Sequence, residues 1–218
     1  MSRKKVALRI VSSHKIYAKE RLQDLDEKRL VPSMMVRRRL TRNSKVMLYL
    51  SDKCDFDGTK IVYGTCYSEL EEAAKMANAV VTNGLLSPTS FQNSVYNTAP
   101  SYYSLINKDK DEIITVSSGM KTSLDTLKTA ALQALISKEK ILCVAVECIN
   151  IDNIEEVNRC TSYLEAGVGI VVEISDDMGG AKEIDKNYKI DGIIDSLQDL
   201  MSVAQMHEDG IDKILVEL

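Results

Sequence analysis

The 218-residue sequence has no tryptophan, two phenylalanines, three prolines and two histidines. No apolar run approaches the roughly 20 residues a bilayer-spanning helix needs, and no Ser/Gly- or Pro-rich tract marks a stretch unable to fold. The five cysteines, Cys54, Cys66, Cys143, Cys148 and Cys160, are odd in number and contain no C-x-x-C pair. Neither a zinc ribbon nor a dithiol couple is therefore expected, and no metal or cofactor; scattered free thiols fit a reducing, cytoplasmic setting. The opening MSRKKVALRIVSSH has a basic start but too few apolar residues for the core of a secretory signal, so no leader is expected. Excess basic charge is absent too. The formal net charge is −4 and the pI near 5.4, which disfavours nucleic acid and membrane as partners, because both require clustered cations to displace counterions.

What is present reads as alternating strands and helices, with 44% hydrophobic residues to fill a core. Lys5 to Val11 is expected to form a first strand. The spacing in IYAKERLQDLDEKRL predicts a helix that ends before Pro32, and a second helix is expected near the end of SMMVRRRLTRNSKVMLYLSDK. TKIVYGT reads as a strand. In ELEEAAKMANAVV, Leu70, Ala73, Ala74, Ala77, Val80 and Val81 share one helical face, closed by Asn83-Gly84. EIITVSS predicts a strand, a tight turn follows, and Leu124, Leu127, Ala131 and Leu135 then line a helix. KILCVAVECI and AGVGIVVEIS are continuous apolar runs of the kind covered on both faces, with a helix expected between them in NIEEVNRCTSYL. The tail is expected to hold a loop at Asp176 to Gly180, a helix within IDGIIDSLQDLMSVAQM and an edge strand in IDKILVEL.

Two segments carry a more specific signal. The first is Ser87-Pro88-Thr89-Ser90-Phe91-Gln92-Asn93-Ser94-Val95-Tyr96-Asn97-Thr98-Ala99. It resembles the S-P-T-x-F-x-x-S-V-H-N-x-A motif of the β-ketoacyl synthase N-terminal-like family, with tyrosine where histidine is usual. The second, Thr115-Val116-Ser117-Ser118-Gly119-Met120-Lys121-Thr122-Ser123-Leu124-Asp125-Thr126-Leu127, is similar to the family's T-V-D-T-A-C-S-S-S-L-x-A-L run. Upstream, Val31-Pro32, Arg37-Arg38-Arg39-Leu40-Thr41 and Val62-Tyr63-Gly64-Thr65 through Glu69-Leu70 resemble further family elements in the same order.

This resemblance implies an α/β fold: a thiolase-like half, layered α-β-α, with a mixed, mostly parallel five-stranded sheet. It implies a single domain over residues 1–218, its core at about 5–175 and a C-terminal extension at 176–218. The alignment puts Met120, flanked by Ser118 and Gly119, on the nucleophilic cysteine. In such enzymes a thiolate at a helix N-terminus forms the acyl thioester; a thioether has no proton to lose and forms none. The family's second-half histidines have no counterpart either, since His14 and His207 lie outside any matching motif. The resemblance thus implies a non-catalytic, chain-length-factor-like subunit in fatty-acid, polyketide or aryl-polyene-type biosynthesis. It would be a homodimer, or a heterodimer with a ketosynthase, and a partner of an acyl carrier protein.

The residues leave narrower readings open. Met120 fills a core gap or plugs an acyl pocket. Arg37, Arg38, Arg39 and Arg42 form a carrier-protein patch or a solvated helix face. Within the family-motif residues Pro88, Thr89, Phe91, Ser94 and Asn97, the S-P-T-x-F loop lines a pocket, or Pro88 and Phe91 stop and anchor that loop. Ser117, Ser118 and Ser123 read as helix caps rather than nucleophiles, Gly167 and Gly169 as close packing rather than a dinucleotide turn, and Cys143 and Cys148 as core. Two rival functions stand beside the first: an acyl-thioester hydrolase or transferase using Cys66 or a hydroxyl, and an acyl-chain binding module.

Overall fold

The computed structural model describes residues 4–58, 60–151 and 161–218. Seven strands, β1 (Lys5–Ala18), β2 (Lys60–Gly64), β3 (Ile113–Val116), β4 (Ile141–Cys148), β5 (Glu165–Ser175), β6 (Lys182–Glu183) and β7 (Lys213–Glu217), form one sheet in the order β3-β2-β4-β5-β1-β7-β6. The layered α-β-α architecture and the mixed sheet agree with expectation; the five-strand count does not. Two more strands join because the tail returns: Lys213–Glu217 pairs antiparallel with Lys5–Arg9 of β1 and carries β6 on its outer side. β7 is thus second from the edge. The sheet is also less parallel than expected, because β5 runs antiparallel to both its neighbours and β1 to β7.

Strand β4 shows why the centre holds. All eight of its residues are buried, and the pleat sends them alternately to two cores. Cys143 and Ala145 join Leu127, Ala130, Ala131 and Ala134 of helix α7 (Thr122–Ser137) and Leu200, Met201 and Val203 of the tail helix. Leu142, Val144 and Val146 meet Val46, Met47 and Leu50 of a helix at Arg42–Lys53 on the other face. There, Gly167 of β5 packs so tightly that an added Cβ would lie 2.8 Å from Val46 Cγ1. This is the close approach expected of Gly167 and Gly169, whose own Cβ would lie 3.0 Å from Cys54 Sγ.

Among the described residues the α-helices in chain order are α1 (Glu27–Leu30), α2 (Met34–Arg37), α3 (Arg42–Lys53), α4 (Leu70–Val81), α5 (Pro88–Asn93), α6 (Thr98–Asn107), α7 and α8 (Gln198–Glu208). Residues 176–218 are no appendage, since Ile193, Ile194, Leu197, Leu200, Ile214 and Val216 are all buried in the α7-side core. The core therefore runs beyond 5–175. The helix expected between Ile16 and Leu30 is largely absent. β1 runs on to Ala18, paired residue by residue with β5, and Asp24 and Asp26 then adopt left-handed backbone at φ 55° and 49°, leaving one helical turn at α1. Tertiary pairing overrides a helix-like spacing there. The helix expected within NIEEVNRCTSYL falls mostly on residues 152–160, outside the described residues, as does Cys160.

Candidate functional site

The aligned nucleophile position sits on a strand–turn–helix. β3 lies parallel to β2, with Gly64 opposite Val116; the chain then turns through Ser117 and Ser118 into a 3-10 turn at Gly119–Lys121 and enters α7. Gly119 has φ 58°, and a Cβ added to it would meet nothing within 4 Å, so its backbone angle, not space, selects glycine. Thr122, fully buried, ties the turn: its hydroxyl accepts from Ser118 N at 3.0 Å and donates to Gly119 O at 2.7 Å.

Met120 stands at the tip of this turn and is 47% exposed. It neither fills a core gap nor plugs a buried pocket, because the three residues Gly119–Lys121 are all exposed. The serines do not cap α7. Ser118 makes no side-chain cap bond, and Ser123 accepts from Asp199 N at 3.2 Å, the first turn of α8. Thr122 takes the local role instead, leaving Ser123 to join two helices.

The first motif lines a surface recess that does not include this turn. Ser87 caps α5, accepting from Ser90 N, and Pro88 occupies the first turn, where its missing N–H costs nothing. Phe91 is 65% exposed rather than an anchor. The anchor is Asn93, which sequence reasoning does not single out: it is buried, donates to Arg39 O at 3.3 Å, accepts from Tyr102 Oη at 3.2 Å, and offers its own carbonyl to Thr98 Oγ1 at 3.1 Å. Ser94 Oγ donates to Phe91 O, and Asn97 O accepts from Ser101 Oγ. Tyr96, at the usual histidine position, donates to Cys66 O at 3.3 Å.

The arginine run divides. Arg37 donates to the carbonyls of Val31 and Pro32, at 2.6 and 2.7 Å. Arg42 is drawn inward to Glu165 and also donates to Leu22 O. Glu165 is 1% exposed, so this is a buried pair whose partners each neutralise a charge otherwise costly to bury. Only Arg38 and Arg39 remain, exposed and without an ion pair among the described residues, so the four-arginine patch contracts to two.

Two further buried carboxyls lie near these elements. Glu147, at the end of β4, accepts from Cys66 N at 2.5 Å, Tyr67 N at 3.1 Å, Thr65 Oγ1 at 3.1 Å and Ser196 Oγ at 3.0 Å. Burial pushes it up to about 7, against the pull of those hydrogen bonds. Glu69 is pushed up to about 8 by burial, opposed by the hydroxyl of Thr41 and reinforced by Glu72 and Glu71. One signal could have flagged Glu147: it is the single acid inside the apolar run ILCVAVEC. Glu69 and Glu165 carry none, since Arg42 and Glu165 are 123 residues apart.

The same carboxyl bears on Cys66. Burial, with the Glu147 charge, raises its thiol above the ordinary value, the reverse of what a thiolate nucleophile requires. Cys143 and Cys148 are buried strand residues, as expected. His14 stacks edge-on against Tyr49 on β1's side and His207 of α8 meets Ser13 Oγ at 2.8 Å. Among the described residues no cluster of three metal-ligating side chains occurs, and no helix is long and apolar enough to cross a membrane.

Comparison with known proteins agrees with this architecture. The family described as β-ketoacyl synthase, N-terminal domain, matches residues 12–192. Among solved structures, a chain of the ketosynthase ApeO in complex with its chain length factor ApeC, from Xenorhabdus doucetiae, superposes with a TM-score of 0.66 at 18% identity, covering 92% of each chain. The ishigamide ketosynthase/chain length factor gives 0.62 at 14% identity, over 79% of this chain and 63% of that one. A type II polyketide synthase acyl-carrier protein in complex with its ketosynthase, AntDE:AntF, gives 0.57 at 12% identity, over 78% and 64%. The chain thus spans under two thirds of the latter two, and at these identities the likeness is one of fold. No curated protein sequence matches the chain.

Proposed function

The chain belongs to the β-ketoacyl synthase N-terminal domain family, and from that premise we propose that it is a non-catalytic, chain-length-factor-like subunit that supports a catalytic ketosynthase and its acyl carrier protein in fatty-acid, polyketide or aryl-polyene-type biosynthesis. The observation that carries this reading is Met120. It occupies the turn between β3 and α7, where the family motif places a thiolate at a helix N-terminus, and a thioether cannot form the thioester on which condensation depends.

The surface supports association. Val80, Val81, Leu85, Leu86 and Phe91, on α4, α5 and the loop between them, are all more than half exposed, an apolar patch that water disfavours and a partner would cover. Arg38 and Arg39 are the residues proposed to meet an acidic carrier protein. The similar structures, complexes of ketosynthase with chain length factor or carrier protein, point the same way. The rival hydrolase reading is weakened by the raised thiol of Cys66 and by the engagement of both histidines elsewhere.

The test is affinity capture of the tagged chain from its own cells, joined to sedimentation of the purified chain. Recovery of a full-length ketosynthase or an acyl carrier protein is expected. A chain that stays monomeric at high concentration and recovers neither would defeat the proposal, as would condensation of acyl and malonyl thioesters by the purified chain alone. Met120→Cys is expected to gain alkylation by iodoacetamide without gaining condensation.

A further inference from the structure

Two recesses meet on the α3–α5–α6 side of the molecule, and neither includes Met120. The larger, about 600 Å³, is lined by Met35, Val36, Val95, Tyr102 and Leu105 among others. The smaller, about 330 Å³, is polar and has Arg38, Thr41, Asn43 and Glu69 in its wall. Arg39, Thr89 and Asn93 line both, so the two share a boundary. Their volumes fall in the range of small-molecule sites, roughly 300–1,000 Å³.

Charge in the polar recess is unbalanced in one direction. Glu71 is met by Arg21 and Lys75, and Glu72 by Lys75. Lys45 is matched by Glu27 and Arg42 by Glu165. Burial raises Glu69 to about 8 and so favours its neutral form at pH 7. Arg38 and Arg39 are left without a counter-charge among the described residues. Asn43, although in this wall, is turned to the protein: 1% exposed, it gives its Nδ2 to Ser68 O at 2.8 Å and hydrogen-bonds the buried Tyr63 side chain.

We propose that the two recesses form one site for a small amphipathic anion, with an apolar tail along Met35, Val95 and Leu105 and an anionic head at Arg38 and Arg39. A bidentate guanidinium suits a carboxylate or phosphate head, and the shared Arg39 sits where tail and head join. The site needs no partner subunit, so its test on the purified chain stands or falls apart from the pairing proposal; a carrier protein's acidic surface would compete for the same two guanidiniums.

The probe is N-dodecanoylglycine, which carries a tail, an amide N–H and a carboxylate, titrated calorimetrically below its micelle concentration. Saturable one-to-one binding is expected. The uncharged N-dodecanoylglycinamide should bind about tenfold more weakly, and N-acetylglycine, lacking the tail, should not bind measurably. Arg39→Gln and Val95→Arg each should weaken the probe about tenfold, and both positions are exposed, so the variants should melt with the parent. Met120→Glu should leave affinity unchanged. Absence of saturable binding overturns the proposal. So does equal affinity for the charged and uncharged probes, or loss on Met120→Glu with Arg39→Gln and Val95→Arg both silent.

Discussion

Helices α4 and α7 are both amphipathic in sequence, and the fold uses them in opposite ways. α7 buries Leu127, Ala130, Ala131 and Ala134 completely against the sheet. α4 buries no residue at all, and Val80 and Val81, on the face that periodicity assigns to a core, are 62% and 81% exposed. The acids in its first turn, Glu71 and Glu72, and the left-handed Asn83 after it show that its ends are well specified. What differs is the surface it faces. α7 lies over a sheet whose central strands have both faces to cover, whereas α4 projects its apolar stripe outward beside Leu85, 99% exposed. Periodicity reports that a helix has an apolar face; it does not report whether the same chain supplies the cover.

The sharpest contrast to draw is between the finished interior and this open lobe. Glu165→Ala would leave the partly buried Arg42 with Glu27, 4.0 Å away, as its remaining counter-ion and Leu22 N without an acceptor, at a cost of about 3–5 kcal/mol in urea unfolding. Leu127→Ala opens a cavity under α7 and should cost about 2–5 kcal/mol. A loss below about 1 kcal/mol at either site would mean that the centre is as loosely held as the lobe.

The pH dependence of stability tests the two buried carboxyls. Both have folded-state values above the ordinary one, at about 8 for Glu69 and about 7 for Glu147. The folded chain therefore holds these protons more tightly than the unfolded chain, and stability falls as pH rises. The decline begins near the ordinary carboxyl value of 4.5 and ends near 7 for Glu147 and near 8 for Glu69. Glu69→Gln should flatten the pH 7 to 8 part of the curve and about halve the slope between pH 5 and 7, where Glu147 remains. A stability curve that rises from pH 5 to 8 would contradict both assignments.

How much of this is legible in the sequence follows the same division. β4 and β5 are plain, because a strand covered on both faces must be apolar throughout, and α7 is plain because strand, turn and helix follow in one short stretch. The family motifs locate the turn at Met120 but not its exposure, since nothing in Gly119-Met120-Lys121 distinguishes a buried turn from an open one. Residues 16–30 mislead because their spacing fits a helix while their fate is decided by β5, some 150 residues away along the chain. Among site residues, Asn93 and Glu147 lie inside segments that the sequence already marks, yet their importance is one of partners, Arg39 and Tyr102 for the first and Cys66 and Ser196 for the second. Partners distant in sequence are what a single sequence conceals.

Gly119→Ala refines the contrast at an intermediate scale. The turn is exposed like the lobe but tied to buried Thr122. Space is free around it, so the cost is that of the left-handed backbone alone, about 1 kcal/mol. A much larger loss would mean that the turn is packed after all, and thermal melts compared with the parent chain decide it.

The smallest expected change in stability is the most informative about the open lobe. Leu85→Ser removes an apolar side chain that touches almost nothing, so the isolated chain should unfold within about 0.5 kcal/mol of the parent. If the lobe is a surface awaiting a partner, the same substitution should weaken capture of a ketosynthase while leaving the melt of the chain alone unmoved. The two measurements separate packing within the chain from packing between chains. A destabilised monomer would show that Leu85 is covered within its own chain in solution. An unmoved monomer with undiminished capture would place the partner's contact elsewhere, and the comparison of α4 with α7 would then concern solvation alone.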